Sequence, residues 1–154
     1  MSVGVQCLYS RRFDYVEAVP RVASIKDIIT VSGKLSWHFP VCIWRAASGD
    51  EVVLYVNGAE FSRQTTAGDG SFAFRVPASM LGLGRHVLWV VAPQFWRGCY
   101  AKSPEMVVDV VSEEEKKRIE EEERLSRALT VAAIASAAVA AVVAVLYVLH
   151  TKMR

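Results

Sequence analysis

The stretch from Ala128 to Leu149 constrains this chain more than any other. Its 22 residues, ALTVAAIASAAVAAVVAVLYVL, carry no charge. A helix of that length rises roughly 33 Å, enough to cross a bilayer core of about 30 Å. Only His150, Thr151, Lys152, Met153 and Arg154 follow. The expected plan is an N-terminal extension over 1–14, a folded domain over 15–111, a charged stalk over 112–127, a transmembrane helix over 128–149 and a short basic tail over 150–154.

Residues 1–111 suffice for one small domain and not for two. They hold eleven Lys or Arg against nine Asp or Glu, a balance without a nucleic-acid footprint. The three cysteines, Cys7, Cys42 and Cys99, show no paired C-x-x-C spacing, and the histidines His38, His86 and His150 are scattered. Neither pattern builds a metal site. G-x-S-x-G, P-loop and H-E-x-x-H motifs are absent, so no enzyme and no cofactor is expected. Asp50, Glu51 and Asp69 could line a calcium site, but Asp50 and Asp69 fall where turns need aspartates. The opening MSVGVQCLYSRRFDY lacks the apolar core of a secretory signal. The domain then stays in the cytoplasm, or the gene starts upstream, or the chain is a piece of something longer.

Within the domain the apolar residues alternate. Ile29, Val31 and Leu35 share one face of residues 28–36, and Val52, Leu54 and Val56 share one face of 51–56. Alternation with period two marks half-buried strands. Asn57-Gly58 follows at once and predicts a hairpin, because both turn positions need positive φ. Further strands are expected over 59–66, 71–76 (Phe72, Phe74 and Val76 inward), 85–92 and 106–111, with a weaker first strand near 15–23 and a loop at 81–84. Seven short strands without helical pattern must bury their faces against a second sheet. The expected fold is all-β, a seven-stranded immunoglobulin-like antiparallel sandwich followed by one long C-terminal helix.

Residues 33–92 carry a resemblance. GKLSWHFPV, DEVVLYVNG, TTAGDGSFAFRVP and LGLGRHVLWVVA resemble the Ig-like and prealbumin-like modules of prokaryotic, including archaeal, surface proteins. The resemblance implies a β-sandwich serving as spacer, stalk or binding domain, and favours none of these. The segment after the first loop is longer and more aromatic here than in those modules.

After Val111 the pattern becomes helical. Ser112 and Glu115 form a capping box, and Glu113–Lys117, Glu114–Arg118 and Glu120–Arg124 stand at i,i+4 in the favourable order. One helix is expected from about residue 113 to 149. Its charged part reads as a solvated stalk or an electrostatic docking site, with Ile119 and Leu125 too few for a coiled-coil seam. In the apolar part Ala133, Ala137 and Ala141 share a face on which a second helix, from another copy or another membrane subunit, could pack closely.

With strands taken as A to G, the B–C, D–E and F–G connections lie at the end away from the anchor. The B–C connection, Trp37 to Asp50, and the F–G connection, Pro93 to Ser103, are long. They carry Trp37, Phe39, Trp44, Arg45, Phe95, Trp96, Arg97 and Tyr100. Aromatic residues and arginines gathered in loops read either as a recognition surface or as a plug closing the core. Cys42 and Cys99 lie in the same two connections and could form a disulfide if the tip is outside the cell.

Two arguments about topology disagree. Five Lys or Arg flank the apolar segment on the domain side and two on the tail side, which favours a cytoplasmic domain. The missing signal segment agrees with that, whereas the modules resembled mostly work outside the cytoplasm; the balance leans narrowly outward on the condition that the gene starts upstream. The expectation is a single-pass protein of the cell membrane whose sandwich binds a protein or envelope component. The alternative is a structural subunit docked in a membrane complex through its Ala-rich helix.

Overall fold

A computed structural model describes residues 8–39, 43–94 and 98–130. It divides into two compact units, Met1–Glu113 and Glu114–Arg154. The first contains ten strands among the described residues: β1 (Ser10–Val19), β2 (Val22–Ser24), β3 (Ile28–Phe39), β4 (Ile43–Ala46), β5 (Glu51–Val56), β6 (Ala59–Thr65), β7 (Ser71–Pro77), β8 (Gly84–Ala92), β9 (Ala101–Lys102) and β10 (Met106–Val111). One helical turn, α1 (Ala78–Leu81), precedes β8 and ends where the expected 81–84 loop begins.

The strands form two sheets. In the first, β3 is the spine: β1 pairs along one edge, while β7 and then β4 share the other. The handover occurs at Leu35, whose N–H donates to Gly70 O (2.9 Å) and whose carbonyl accepts from Ala47 N (3.0 Å). The second sheet runs β2-β10-β8-β5-β6, with β9 also on β8. The initial segment therefore serves both sheets. It pairs with β3 as far as Val19, passes the cis Val19–Pro20 peptide, and returns as β2 parallel to β10. All other pairings between the named strands are antiparallel, and an isolated parallel bridge joins Tyr9 to Gly98.

The alternation read from the sequence sets the core. Ile29, Val31, Leu35, Val52, Leu54, Val76, Leu88, Val90, Val108 and Val110 are fully buried between the sheets, with Phe72 and Phe74 beside them. Each such side chain contributes roughly 1.5–3 kcal/mol by leaving water. Of RHVLWVVA, Leu88, Val90 and Ala92 enter the core, while Trp89 stacks on Tyr55 across the outer face (5.7 Å, interplanar 2°) beneath Lys102 Nζ at 4.6 Å. Asn57 (φ 50) and Gly58 (φ 88) form the expected hairpin turn.

Ten strands replace the seven expected. The B–C connection is not one loop: β3 continues through Trp37 to Phe39, and β4 folds back on it. β2 and β9 are too short for period-two patterning to reveal. The domain begins before residue 15, since β1 starts at Ser10 within the expected extension.

The second unit, by itself, is helical over its described part. The helix α2 runs over 113–130 from its start directly after Ser112, as the capping signal predicts. Ion pairs along it join Glu115 to Arg118 (3.7 Å), Lys116 to Glu120 (3.7 Å) and Glu123 to Arg127 (3.3 Å), at spacings of three and four residues. Among the described residues, no helix is long and apolar enough to cross a membrane. The stretch over 131–149, most of the expected span, and Ala133, Ala137 and Ala141 lie outside the described residues.

Candidate functional site

The chain crosses repeatedly at the end of the sandwich opposite the one where β10 finishes. The start of β1, the β3–β4 hairpin, the β6–β7 turn and the connection after β8 all meet there. Arg11 is the point on which they converge. Its side chain is 1 % exposed. The guanidinium donates from Nη1 to Asp50 Oδ2 (3.0 Å), from Nε to Cys99 O (2.8 Å), and from Nη2 to the carbonyls of Ala92 (3.4 Å), Gly98 (3.4 Å) and Pro93. Asp50 Oδ2 also accepts from Trp37 Nε1 at 2.7 Å. A planar cation with five donors suits this crowd of carbonyls as a lysine would not.

The network continues on both sides. Asp50 N donates to Thr66 Oγ1 (3.0 Å), Thr66 N to Asp50 O (2.9 Å), and Thr66 Oγ1 to Ala47 O. Cys99 N donates to Tyr9 O (2.8 Å), and the Tyr9 ring lies 5.6 Å from Trp37. Gly98 has no room for a side chain, because a Cβ there would sit 2.9 Å from Arg11 Nε. These contacts fasten the end internally.

The sequence-predicted residues separate at this point. Trp37 is half-buried and its indole N–H is committed to Asp50, so it belongs to the plug. Trp44 is 40 % exposed on the outer face of β4, between Arg12 (Cζ 3.7 Å from the ring) and His38 (centroids 4.5 Å apart). Arg12 in turn pairs with Asp14 at 3.1 Å. Ile43, Arg45 and Tyr100 are exposed at the same end. Phe39 pairs with Ile43 in the hairpin. Phe95, Trp96 and Arg97 lie outside the described residues. Among the described residues, Trp37 is tied into the Arg11–Asp50 network, while Trp44, Arg45 and Tyr100 are exposed.

Arg11 carried no signal in sequence, since its partners stand far along the chain. The acidic residues considered for calcium are committed elsewhere: Asp50 to Arg11 and Trp37, Glu51 to Arg63 (3.5 Å), and Asp69 to Ser71. The Ser71 hydroxyl and then its N–H hold the Asp69 carboxyl below the usual carboxylate range. Among the described residues, no group of three or more His, Cys, Asp or Glu could hold a metal ion. Cys99 is disulfide-bonded, and Cys7 and Cys42 lie outside the described residues.

Two sheets, with the first strand divided between them and the β10-β8-β5-β6 order in one, define an immunoglobulin-like β-sandwich. No family model matches the chain, and no curated protein matches it. Similar solved structures include the D0-D1 domain of intimin, at 16 % identity over 64 % of this chain and 48 % of that one, TM-score 0.46. A 1.5-MDa bacterial ice-binding adhesin is similar at 18 % identity over 67 % of this chain and 32 % of its own, TM-score 0.45. The CARDB domain of PF1109 from Pyrococcus furiosus is similar at 12 % identity over 70 % and 99 %, TM-score 0.45. The chain spans about half of the intimin fragment and about a third of the adhesin fragment.

Proposed function

We propose that this chain is a non-catalytic binding or assembly module, an immunoglobulin-like sandwich carried on a membrane by its C-terminal segment. The observation behind the binding role is the division of labour at the loop end. Arg11, Asp50 and Trp37 hold the end rigid, and Trp44, Arg45, Ile43 and Tyr100 are presented outward on that support. Rigid elements bearing exposed Trp, Tyr and Arg are the anatomy of protein-binding hot spots. A surface charge or a lone exposed leucine would carry no such reading.

The anchoring part rests on the uncharged residues 128–149 and their length. The extracytoplasmic face is favoured by the disulfide at Cys99, since disulfides persist mainly in oxidising compartments. We assign its partner as Cys42, which would join the β3–β4 hairpin to the connection after β8 and leave Cys7 reduced.

The test places a photoreactive amino acid at Trp44, or at Ala73 on the opposite half of the same sheet as control, in membranes of cells expressing the full chain. A discrete adduct from position 44 that disappears in the Arg45→Glu and Tyr100→Ala backgrounds supports the reading. Equal labelling from 44 and 73, with circular dichroism showing the variants folded, overturns it.

A further inference from the structure

The chain leaves the first sheet at Val19 and joins the second at Val22, and a groove of about 400 Å³ lies along that side of the sandwich. β1 lines it with Val16, Glu17 and Ala18, and β10 with Met106 and Val107. Arg21, Pro104 and Glu105, all exposed, complete the lining.

The hydrogen bonds of the two sheets fix what the backbone offers there. On β3, the Leu35 N–H donates to Gly70 O and its carbonyl accepts from Ala47 N, both on the β7–β4 side. Asp27 O accepts from Ala78 N on that side too (2.9 Å). Backbone groups alternate sides along a paired strand. Val31 and Gly33 therefore bond toward β7, and Thr30, Ser32 and Lys34 toward β1. Their register partners are Val19, Glu17 and Tyr15. Val16 and Ala18 are left turning N–H and C=O away from β3, at the free edge of β1.

The same parity holds on β10. Asp109 N donates to Arg21 O (2.9 Å), so Asp109 faces β2, and Val107, two residues earlier, faces the same way. Val87, opposite Val107, agrees: its carbonyl turns from β10 to accept from Asn57 N (2.8 Å). β2 covers only Asp109 to Val111 of β10. Among the described residues, no strand pairs with Val16, Ala18 or Val107 on these sides.

The side chains suit an extended occupant. Val16 and Met106 pack half-buried against the core and Ala18 lies within it, which makes an apolar floor. Tyr15 and Val19 stand 52 % and 56 % exposed beside it on β1, and Val107 45 % exposed on β10. Glu17, Arg21 and Glu105 put both signs of charge on the rim, so it selects neither an anion nor a cation. Natural sheets blunt their edges. β1 is blunted by its bulge between Phe13 and Tyr15 and by Pro20, but not over 15–19.

We propose that this groove is a strand-addition site, taking an extended peptide segment of a partner protein with apolar residues at alternate positions. Unpaired N–H and C=O groups at strand spacing are matched by another extended backbone, and the apolar floor receives every second side chain. An edge from each sheet borders the groove. A strand already held in a second copy's sheet has one free edge, whereas a free segment has two. The site is separate from Trp44 and does not rest on the role given to that residue.

The experiment selects short peptides from a random displayed library against the full chain in detergent micelles, then measures their affinity for variants by fluorescence polarisation. Peptides with alternating apolar residues should emerge. Val107→Pro removes the outward N–H without touching a bond to β8. It should weaken them roughly tenfold, the factor that one lost hydrogen bond carries. Val107→Thr keeps the donor and should bind as the wild type does. No selected peptide, or equal affinity for Val107→Pro, overturns the proposal. A wild-type dimer in sedimentation that Val107→Pro dissolves also overturns it, because a second copy then holds the edge. Should Val107→Pro not fold, N-methylation of the peptide decides. Loss of binding on methylating alternate residues supports the site, and undiminished binding rejects it.

Discussion

Arg11 carries a full charge into a place closed to water, and Asp50 with four backbone carbonyls makes that tolerable. A buried ion pair adds little net stability over an apolar pair, but removing one partner strands the other. Asp50→Ala should therefore cost about 3–5 kcal/mol in urea unfolding. The double variant Arg11→Met with Asp50→Leu should lose clearly less than the two single losses added; strict additivity would show that the pair does not act as a unit. Gly98→Ala drives a methyl into the guanidinium and should cost about 1–3 kcal/mol. None of this was legible beforehand. Arg11 sits in what the sequence presents as an N-terminal extension, and its partners stand 39 and more residues away. Hydrophobic periodicity reports which face a residue takes, not which distant carbonyl it meets. Asn57-Gly58, whose geometry is local, was legible in full.

Among the elements, the well-patterned strands were readable because each buries alternate residues over six or more positions. β5 and β7 match the expected ranges to within a residue. β4 was not readable: its four residues are all exposed and carry no alternation of burial. Its presence converts half of the expected tip from loop to hairpin, which stiffens the support of Trp44. Burial in the central strands has a measurable consequence. Leu54→Ala, fully buried on β5, should lose about 2–5 kcal/mol in urea unfolding. The turn before β7 should respond to pH. A carboxyl depressed in the folded state stabilises above the unfolded carboxyl range, and that contribution is lost as pH falls through the folded value. Asp69 is such a group, so the Ala67–Ser71 turn should loosen in acid. Faster intrinsic-corrected exchange of the Ser71 amide would report it, and Asp69→Asn should remove most of the pH dependence.

For the whole molecule, the sandwich was legible because seven alternating stretches need two sheets, whatever their order. The division of the first strand between the sheets was not, since β1 and β2 differ only in which neighbour they meet. The candidate surface was legible as a composition of aromatic residues and arginines. The hydrogen bond from Trp37 to Asp50 separates Trp37 from the exposed Trp44, a difference composition does not show. At this scale the disulfide makes a further prediction. Non-reducing peptide mapping should join Cys99 to Cys42 and leave Cys7 open to alkylation, and reduction should lower stability by about 2–4 kcal/mol. A Cys7–Cys99 peptide would contradict the assigned pairing.

The central claim, a sandwich displayed from a membrane by its C-terminal segment, is tested most directly by protease digestion of intact cells expressing the full chain. The account predicts that external protease removes the sandwich and leaves a short C-terminal fragment in the membrane fraction. Full protection until lysis, or no fragment retained by the membranes, would contradict it.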